Sequence, residues 1–157
     1  MKRLHTTEEK EIRLNHKYGQ IGSSRDYFKP VGLWYSLDDA WFEWCSNENF
    51  GGVYENTFEL ELDHTNILVI CNRFQLRMFY DQYKYEMYPG SFGIDWAKVK
   101  ANYKGIEIQD YHSMRWDVLP FSGNTWFGAW DCDSGCVWDL SAIKSVKESQ
   151  SKFYEIP

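Results

Sequence analysis

The sequence predicts one α+β domain, because its predicted helices and strands do not alternate as they do around a parallel sheet. The chain has 157 residues and is 43% hydrophobic, which matches a single domain with a core of its own. No glycine-rich phosphate loop of the dinucleotide or P-loop type is present in the sequence. We therefore expect residues 1–157 to form one domain.

The N-terminal half is predicted to contain three strands and two helices. The strands are expected at 3–7, 32–36 and 53–63, and the helices at 7–15 and 37–50. Thr7 can cap the first helix, and Asp38 or Asp39 the second. Apolar and polar residues alternate from Phe58 to Leu62, which indicates a half-buried strand. A loop rich in Gly, Ser and Pro is expected over 17–32.

The C-terminal half is predicted to begin with a central strand, because residues 66–71 are an apolar run. Further helices are expected at 72–86 and 94–103, the second starting at Asp95. The remaining predictions are a break at 88–93, strands at 105–109, 125–131 and 135–139, an irregular stretch at 112–124, and a final short helix or turn at 140–148.

Composition narrows the range of functions. The chain is 18% aromatic, which requires large packed surfaces or a stacking site for a flat ligand. Its net charge of −6 gives no overall attraction to nucleic acid or to an anionic membrane. We expect no membrane span, since no 18-residue apolar run exists. With no signal-peptide pattern at the N-terminus, we interpret the four cysteines as reduced thiols of a cytoplasmic protein.

The stretch WFGAWDCDSGCVWD at 126–139 carries the densest group of chemically active side chains. Cys132 and Cys136 are spaced C-x3-C, but no second ligand pair for a structural zinc site is near, so packing explains them better than metal binding. Asp133 is expected in a turn with the two residues that follow. Asp131 lies between two large apolar neighbours, where a carboxylate is costly unless it is bound or used.

This stretch also allows two other chemistries. Cys132 could pair with His5 or His112 as a nucleophile and base, but no elbow or oxyanion motif accompanies them. Two carboxylates among aromatics are also compatible with a carbohydrate-binding or glycosidase-like module.

Three segments, in this order, resemble the ADP-ribosyltransferase superfamily: RLHTT at 3–7, GLWYS at 32–36 and AWDCDSGCVWD at 129–139. The intervening strand and helices up to GIEI at 105–108 also look like the middle of such proteins, so the resemblance spans about residues 3 to 145. It implies an ADP-ribosyltransferase-like split β-sandwich with flanking helices. It further implies that the chain is an NAD-dependent mono-ADP-ribosyltransferase acting on a protein or nucleic-acid acceptor.

The resemblance also implies roles for individual residues. His5, Tyr35 and Asp131 match the catalytic positions. Asp131 occupies the position of the family's catalytic acid. The residues implied to bind NAD, the co-substrate, are His5, Thr6, Gly32, Trp34, Tyr35, Ser36 and Trp41. Arg25 and Arg115 are candidates for the pyrophosphate of NAD. No metal is implied.

The chemistry expected at such a site follows from the bond that breaks. Cleavage of the nicotinamide–ribose bond develops positive charge on the ribose, which a nearby carboxylate stabilises. A flat aromatic wall can hold nicotinamide, and a histidine can orient the ribose. Two alternatives stay open: a catalytically inactive binding or inhibitor protein of the same fold, and an NAD glycohydrolase in which water is the acceptor.

Overall fold

A seven-stranded, curled sheet forms the centre of the molecule, and helices pack beside it. The computed structural model describes residues 1–18, 29–50, 56–118 and 125–149. These ranges contain both helices and strands in an α+β arrangement, so the predicted fold class is confirmed. The sheet curls into a half-barrel.

The secondary-structure elements have the following bounds. The strands are β1 (Arg3–Thr7), β2 (Leu33–Leu37), β3 (Asn56–Leu62), β4 (Ile67–Ile70), β5 (Lys84–Tyr88), β6 (Ser91–Ile94), β7 (Gly105–Ile108), β8 (Ser134–Val137) and β9 (Ile143–Glu148). The helices are α1 (Ala40–Asn47), α2 (Arg73–Tyr83), α3 (Trp96–Asn102), α4 (Tyr111–Val118) and α5 (Thr125–Gly128).

The strand order in the large sheet is β4-β7-β8-β2-β1-β3-β9. Only β4 and β7 pair in parallel, and every other neighbouring pair in this sheet is antiparallel. The parallel pair requires a crossover, which α2, the β5–β6 hairpin and α3 supply between the two strands. The order brings β1, β2 and β8 side by side, although they are distant in the sequence.

The two faces of the sheet bury different clusters, because neighbouring residues of a strand point to opposite sides. Leu33, Tyr35 and Leu37 of β2 belong to one cluster, and Trp34 packs against the other. That second cluster holds much of the aromatic content, including the fully buried Trp126 and Trp130. Packing therefore accounts for much of the aromatic composition.

The apolar run at 66–71 forms β4, but the prediction of a central strand is wrong. Among the residues that the structure describes, β4 lies at an edge of the sheet and pairs with β7 alone. Ile67 and Ile70 take part in different clusters, so both faces of β4 are covered. An apolar run indicates that both faces of a strand are buried. It does not indicate whether the strand has a hydrogen-bonded neighbour on each edge.

Several other boundaries differ from the predictions. The helix predicted at 7–15 is absent: Thr7 ends β1, and residues 8–15 contain bends and a turn. The Thr7 hydroxyl accepts the Glu9 amide at 3.1 Å. The helix predicted to 86 ends at Tyr83, and the chain continues into the β5–β6 hairpin, which contains the predicted break. Asp95 does cap α3, accepting the Lys98 amide at 3.2 Å. Residues 53–55 of the predicted third strand lie outside the described ranges.

The C-terminal third of the chain differs most from the predicted secondary structure. Residues 111–118 form α4 where an irregular stretch was expected, and 119–124 lie outside the described ranges. Residues 125–128 form α5 instead of a strand, which turns Trp126 and Phe127 into the core. The last segment is a 3-10 turn, Leu140–Ala142, followed by β9, where a helix or turn was predicted.

No helix within the described ranges is long and apolar enough to cross a membrane.

Candidate functional site

The sheet opens between β1 and β2. These two strands pair only at Arg3↔Leu37 and Leu4↔Ser36. Beyond that point β1 continues to pair with β3 as far as Thr7, and β2 pairs with β8 back to Leu33. The facing backbone groups of β1 and β2 at the opening therefore find other partners, which can be side chains, water or a ligand.

His5 occupies this opening. Its Nδ1 lies 2.6 Å from the Trp34 carbonyl oxygen, and a carbonyl can only accept, so Nδ1 carries the proton. Burial lowers the pKa of His5 and outweighs the hydrogen bond to Trp34 and the charge of Glu9, which both raise it. The ring is therefore neutral near pH 7, with Nε2 as an acceptor. Nε2 is buried and has no hydrogen-bond partner in the described structure.

Trp34 connects His5 to the predicted catalytic acid. The indole Nε1 donates to the Pro30 carbonyl at 3.2 Å, which fixes the ring. The Lys29 ammonium lies 5.2 Å from the centroid of the Trp34 ring, within the range of a cation–π contact. The same ammonium forms an ion pair with Asp131 Oδ2 at 2.9 Å. Contacts thus link His5, Trp34, Lys29 and Asp131 in one series.

Asp131 is partly accessible and its backbone is unusual. Its side chain is 30% exposed, and its φ is +77°, in the left-handed region. Among residues other than glycine, Asp and Asn tolerate this region best, because a short polar side chain can bond locally. The bend places Asp131 between α5 and β8, directly after the buried Trp130. Strained backbone of this kind is found more often at functional sites.

Asp133 has a structural role. Its carboxylate accepts the backbone amides of Asp110 at 3.0 Å and Tyr111 at 2.7 Å, at the start of α4. Ser134 and Gly135 belong to β8, so the prediction that these two residues form a turn with Asp133 is wrong. The two carboxylates of this motif therefore have different partners. Asp133 accepts amides at the start of α4, and Asp131 binds Lys29.

Tyr35 takes part in a buried polar network. It is 3% exposed, and its hydroxyl donates to Glu107 Oε2 at 3.0 Å. Glu107 is fully buried and also receives Arg3 through Nε at 2.7 Å and Nη2 at 3.2 Å, and Gln109 at 2.7 Å. The network joins β1, β2 and β7. With its ring buried, Tyr35 offers no open face for a flat ligand.

The charges in this network are well defined. Burial alone would raise the pKa of Glu107, but hydrogen bonds from Arg3, Gln109 and Tyr35 and the Arg3 charge together lower it. Burial and the neighbouring Glu107 carboxylate raise the pKa of Tyr35 well above its ordinary value. Glu107 is thus an ion and Tyr35 a neutral donor across the physiological range.

Gly135 makes the network possible. It pairs with Tyr35 on one side and with Glu107 on the other, so it lies directly between them. A Cβ at this position would overlap the Tyr35 phenol. Because Gly135 has no side chain, the Tyr35 ring can cross β8 and reach Glu107.

The other residues implied to bind NAD lie in different surroundings. Thr6 pairs with Thr57 of β3, and the Ser36 hydroxyl is buried, 3.4 Å from the Leu4 carbonyl. Gly32 directly precedes β2 and packs against β8. Trp41 lies on α1, where its ring stacks on Trp44.

Of the two arginines considered for the pyrophosphate of NAD, Arg25 lies outside the described residues. Arg115 lies on α4 and is half-buried. The structure thus brings together His5, Trp34 and Asp131, and it places Tyr35 in the buried network with Glu107.

The cysteines of the motif are buried, free thiols. Burial raises the pKa of Cys132 to about 12 and also raises that of Cys136, so neither forms a thiolate readily. Among the described residues, no group of three or more His, Cys, Asp and Glu side chains is placed to hold a metal ion. Packing remains the better interpretation of both cysteines.

Sequence reasoning missed Lys29, Arg3 and Glu107. A signal existed for Glu107, which is the one charged residue within the otherwise apolar strand GIEI. Such a residue must find partners when the strand is buried. No comparable signal identified Lys29, since its contact with Asp131 depends on the folded path of the chain.

Comparison of the chain with protein-family models, with curated proteins and with solved structures found no match.

Proposed function

We propose that the chain is an NAD-dependent ADP-ribosyltransferase that transfers ADP-ribose to a macromolecular acceptor, with NAD bound at the opening between β1 and β2. The observation that carries the proposal is the buried Nε2 of His5, a neutral acceptor without a partner in the described structure. A buried acceptor of this kind is costly unless a donor completes it. A ribose hydroxyl of NAD is such a donor.

The sheet supports the finer fold assignment in the same proposal. A curled sheet whose strands separate after two residue pairs suits an ADP-ribosyltransferase-like split β-sandwich. In this assignment Thr6 and Trp34 lie on the two strands that border the opening. Tyr35 stabilises β2, which borders the opening, by its hydrogen bond to Glu107.

The proposed chemistry uses Asp131 as the carboxylate near the ribose. The bond between nicotinamide and ribose breaks, its electron pair leaves with nicotinamide, and positive charge develops on the ribose. The Asp131 carboxylate stabilises that charge. The acceptor's nucleophile then forms a bond to the same ribose carbon, and its proton passes to Asp131 or to solvent. In the free protein the Asp131 carboxylate is paired with the Lys29 ammonium.

A cytoplasmic location fits this proposal. NAD is an intracellular substrate, and all four cysteines of the chain are free thiols, as expected in a reducing compartment.

A catalytically inactive NAD- or partner-binding protein is the second candidate, and two observations favour it. Tyr35 is enclosed and does not offer a stacking face, and Asp131 is already paired with an ammonium. An NAD glycohydrolase would use the same site with water in place of the acceptor. The experiment below separates these three activities.

The test is incubation of the purified protein with NAD labelled in the adenylate part and a cell lysate. Asp131→Asn keeps the shape and the left-handed backbone, and it should reduce labelling of acceptor by about a hundredfold or more. Lys29→Met is the matched control, because it removes the same ion pair and keeps the carboxylate. It should retain labelling within about tenfold, since a partly exposed ion pair contributes little.

Each outcome assigns one activity. Label on a discrete band, lost in Asp131→Asn and kept in Lys29→Met, supports transfer. Labelled free ADP-ribose without a labelled band indicates a glycohydrolase. NAD binding without either product indicates the inactive binding protein, and equal labelling by wild type and Asp131→Asn would refute the role of Asp131.

A further inference from the structure

A second aromatic surface lies on α1, away from the contacts of His5 and Asp131. We define the α1 aromatic face as Trp41, Trp44 and Phe50. The two indoles stack with their centroids 5.0 Å apart and their planes 13° from parallel. The centroid of the Phe50 ring lies 5.9 Å from that of Trp41 and 5.4 Å from that of Trp44, and Phe50 is 46% exposed. Both indoles are only partly buried.

The charge around this face is of one sign. Residues 30–72 contain eight Asp and Glu and no Lys or Arg, whereas the whole chain has a net charge of only −6. Three exposed carboxylates belong to α1 and its ends: Asp39, Glu43 and Glu48. Glu48 follows Trp44 by four residues, which places both on one side of the helix. None of the three forms an ion pair among the described residues.

The fold covers other aromatic faces with its own cations. Lys29 lies over Trp34 at 5.2 Å, Lys84 over Tyr80 at 5.7 Å, and Lys100 over Trp138 at 5.9 Å. Within the described part of the chain, neither Trp41 nor Trp44 has such a cation. The α1 aromatic face therefore presents electron-rich rings and uncompensated carboxylates together, which is the combination that attracts guanidinium and ammonium groups.

We propose that the α1 aromatic face docks a segment of a partner protein that is rich in Arg and Lys. The partner's cations stack on Trp41 and Trp44 and pair with the carboxylates of α1. Phosphate-bearing partners are disfavoured, because the same carboxylates repel them. This docking does not depend on the proposed transferase activity, and it is measured without NAD.

The test uses a fluorescein-labelled 12-residue peptide of alternating Arg and Ser, measured by fluorescence anisotropy at low salt. A peptide of the same length with citrulline in place of Arg keeps the shape and removes the charge. The Arg peptide should bind the wild-type protein, and the citrulline peptide should bind at least about tenfold more weakly because neither ion pairs nor cation–π contacts remain.

Two sets of variants locate the surface. Glu43→Lys with Glu48→Lys should weaken binding of the Arg peptide by about tenfold, since two ion pairs are replaced by repulsion. The matched control, Glu8→Lys with Glu148→Lys, makes the same change in net charge at exposed positions elsewhere and should have a clearly smaller effect. Trp41→Ala should weaken binding by about threefold to fivefold, the loss of one exposed cation–π contact.

Three results would overturn the proposal. Equal binding of the citrulline peptide would exclude recognition of cations. Equal effects of the two double variants would show attraction by net charge alone. Sedimentation of the wild type as a dimer that Glu43→Lys with Glu48→Lys dissociates would assign the surface to a second copy of this chain instead.

Discussion

At His5, one ring nitrogen is committed to the fold and the other is not. Nδ1 binds the Trp34 carbonyl at 2.6 Å, in place of the backbone pairing that β1 and β2 lose after Leu4↔Ser36. Nε2 is buried without a described partner. The same ring therefore closes the edge of the opening and keeps a buried acceptor, to which the proposed function assigns a ribose hydroxyl of NAD.

The neutral state of His5 predicts a specific dependence of stability on pH. The pKa of His5 is lowered in the folded protein, whereas the unfolded chain binds a proton near pH 6.5. Its contribution to stability is thus present above pH 6.5 and is lost as the pH falls below that value. In thermal melts between pH 7.5 and 5.5, wild type should lose more stability than His5→Gln. The exposed His16→Gln variant should follow wild type, and parallel curves for wild type and His5→Gln would contradict the account.

The ionised Glu107 predicts a large effect of removing its charge. Glu107→Gln leaves Arg3, which is only 17% exposed, without its counter-ion. We expect a loss of about 3 kcal/mol in the free energy of unfolding, measured with denaturant, because an uncompensated buried charge remains. Glu61→Gln, at an exposed position, should change it by less than about 0.5 kcal/mol. Similar values for the two variants would show that the network contributes little.

At the scale of elements, the position of β8 between β2 and β7 decides what Tyr35 can do. Gly135 pairs with Tyr35 and Glu107 at once, and without a side chain it lets them meet. The sequence predicts strands here, but nothing in DSGCV shows which residues will lie opposite. The burial of Tyr35 follows from that register.

Gly135→Ala should therefore destabilise the fold by about 3 kcal/mol, because the new Cβ meets the Tyr35 ring and the backbone of β7. Gly90→Ala serves as control. Gly90 has a φ of +78° and nothing near its added Cβ, so only the backbone cost of about 1 kcal/mol is expected. Denaturant titrations compare the two, and an equal or smaller loss for Gly135→Ala would contradict the packing described for Tyr35.

The elements that the sequence predicted correctly are those whose signals are local. β2 is a short apolar run, and α3 has its cap at Asp95 and its helical pattern within a few residues. α4 was missed because its first amides are held by Asp133, about twenty residues further along the chain. α5 forms where the sequence predicts a strand, because an aromatic run fits either element.

The same division between local and distant signals applies to the site. The sequence singled out His5, Trp34 and Asp131, and the structure connects them. It did not indicate Lys29, which joins Trp34 to Asp131, because that contact forms only across the folded chain. The predicted roles in NAD chemistry stay predictions.

At the scale of the whole molecule, the two proposed sites lie at β2 and at the helix that follows it. The opening between β1 and β2 is assigned to NAD, and the α1 aromatic face to a basic protein segment. Between them runs β2, which lines the opening and leads directly into α1. α1 follows the Leu37 end of β2, which is the end paired with β1, whereas the opening lies at the Leu33 end.

Calorimetric titration of the protein with NAD tests the proposed site most directly. Wild type should bind NAD saturably, and His5→Ala should bind it about tenfold more weakly, because that variant loses the acceptor at Nε2. The exposed His16→Ala variant should bind like wild type. No binding by folded wild type, or equal binding by wild type and His5→Ala, would contradict an NAD site between β1 and β2.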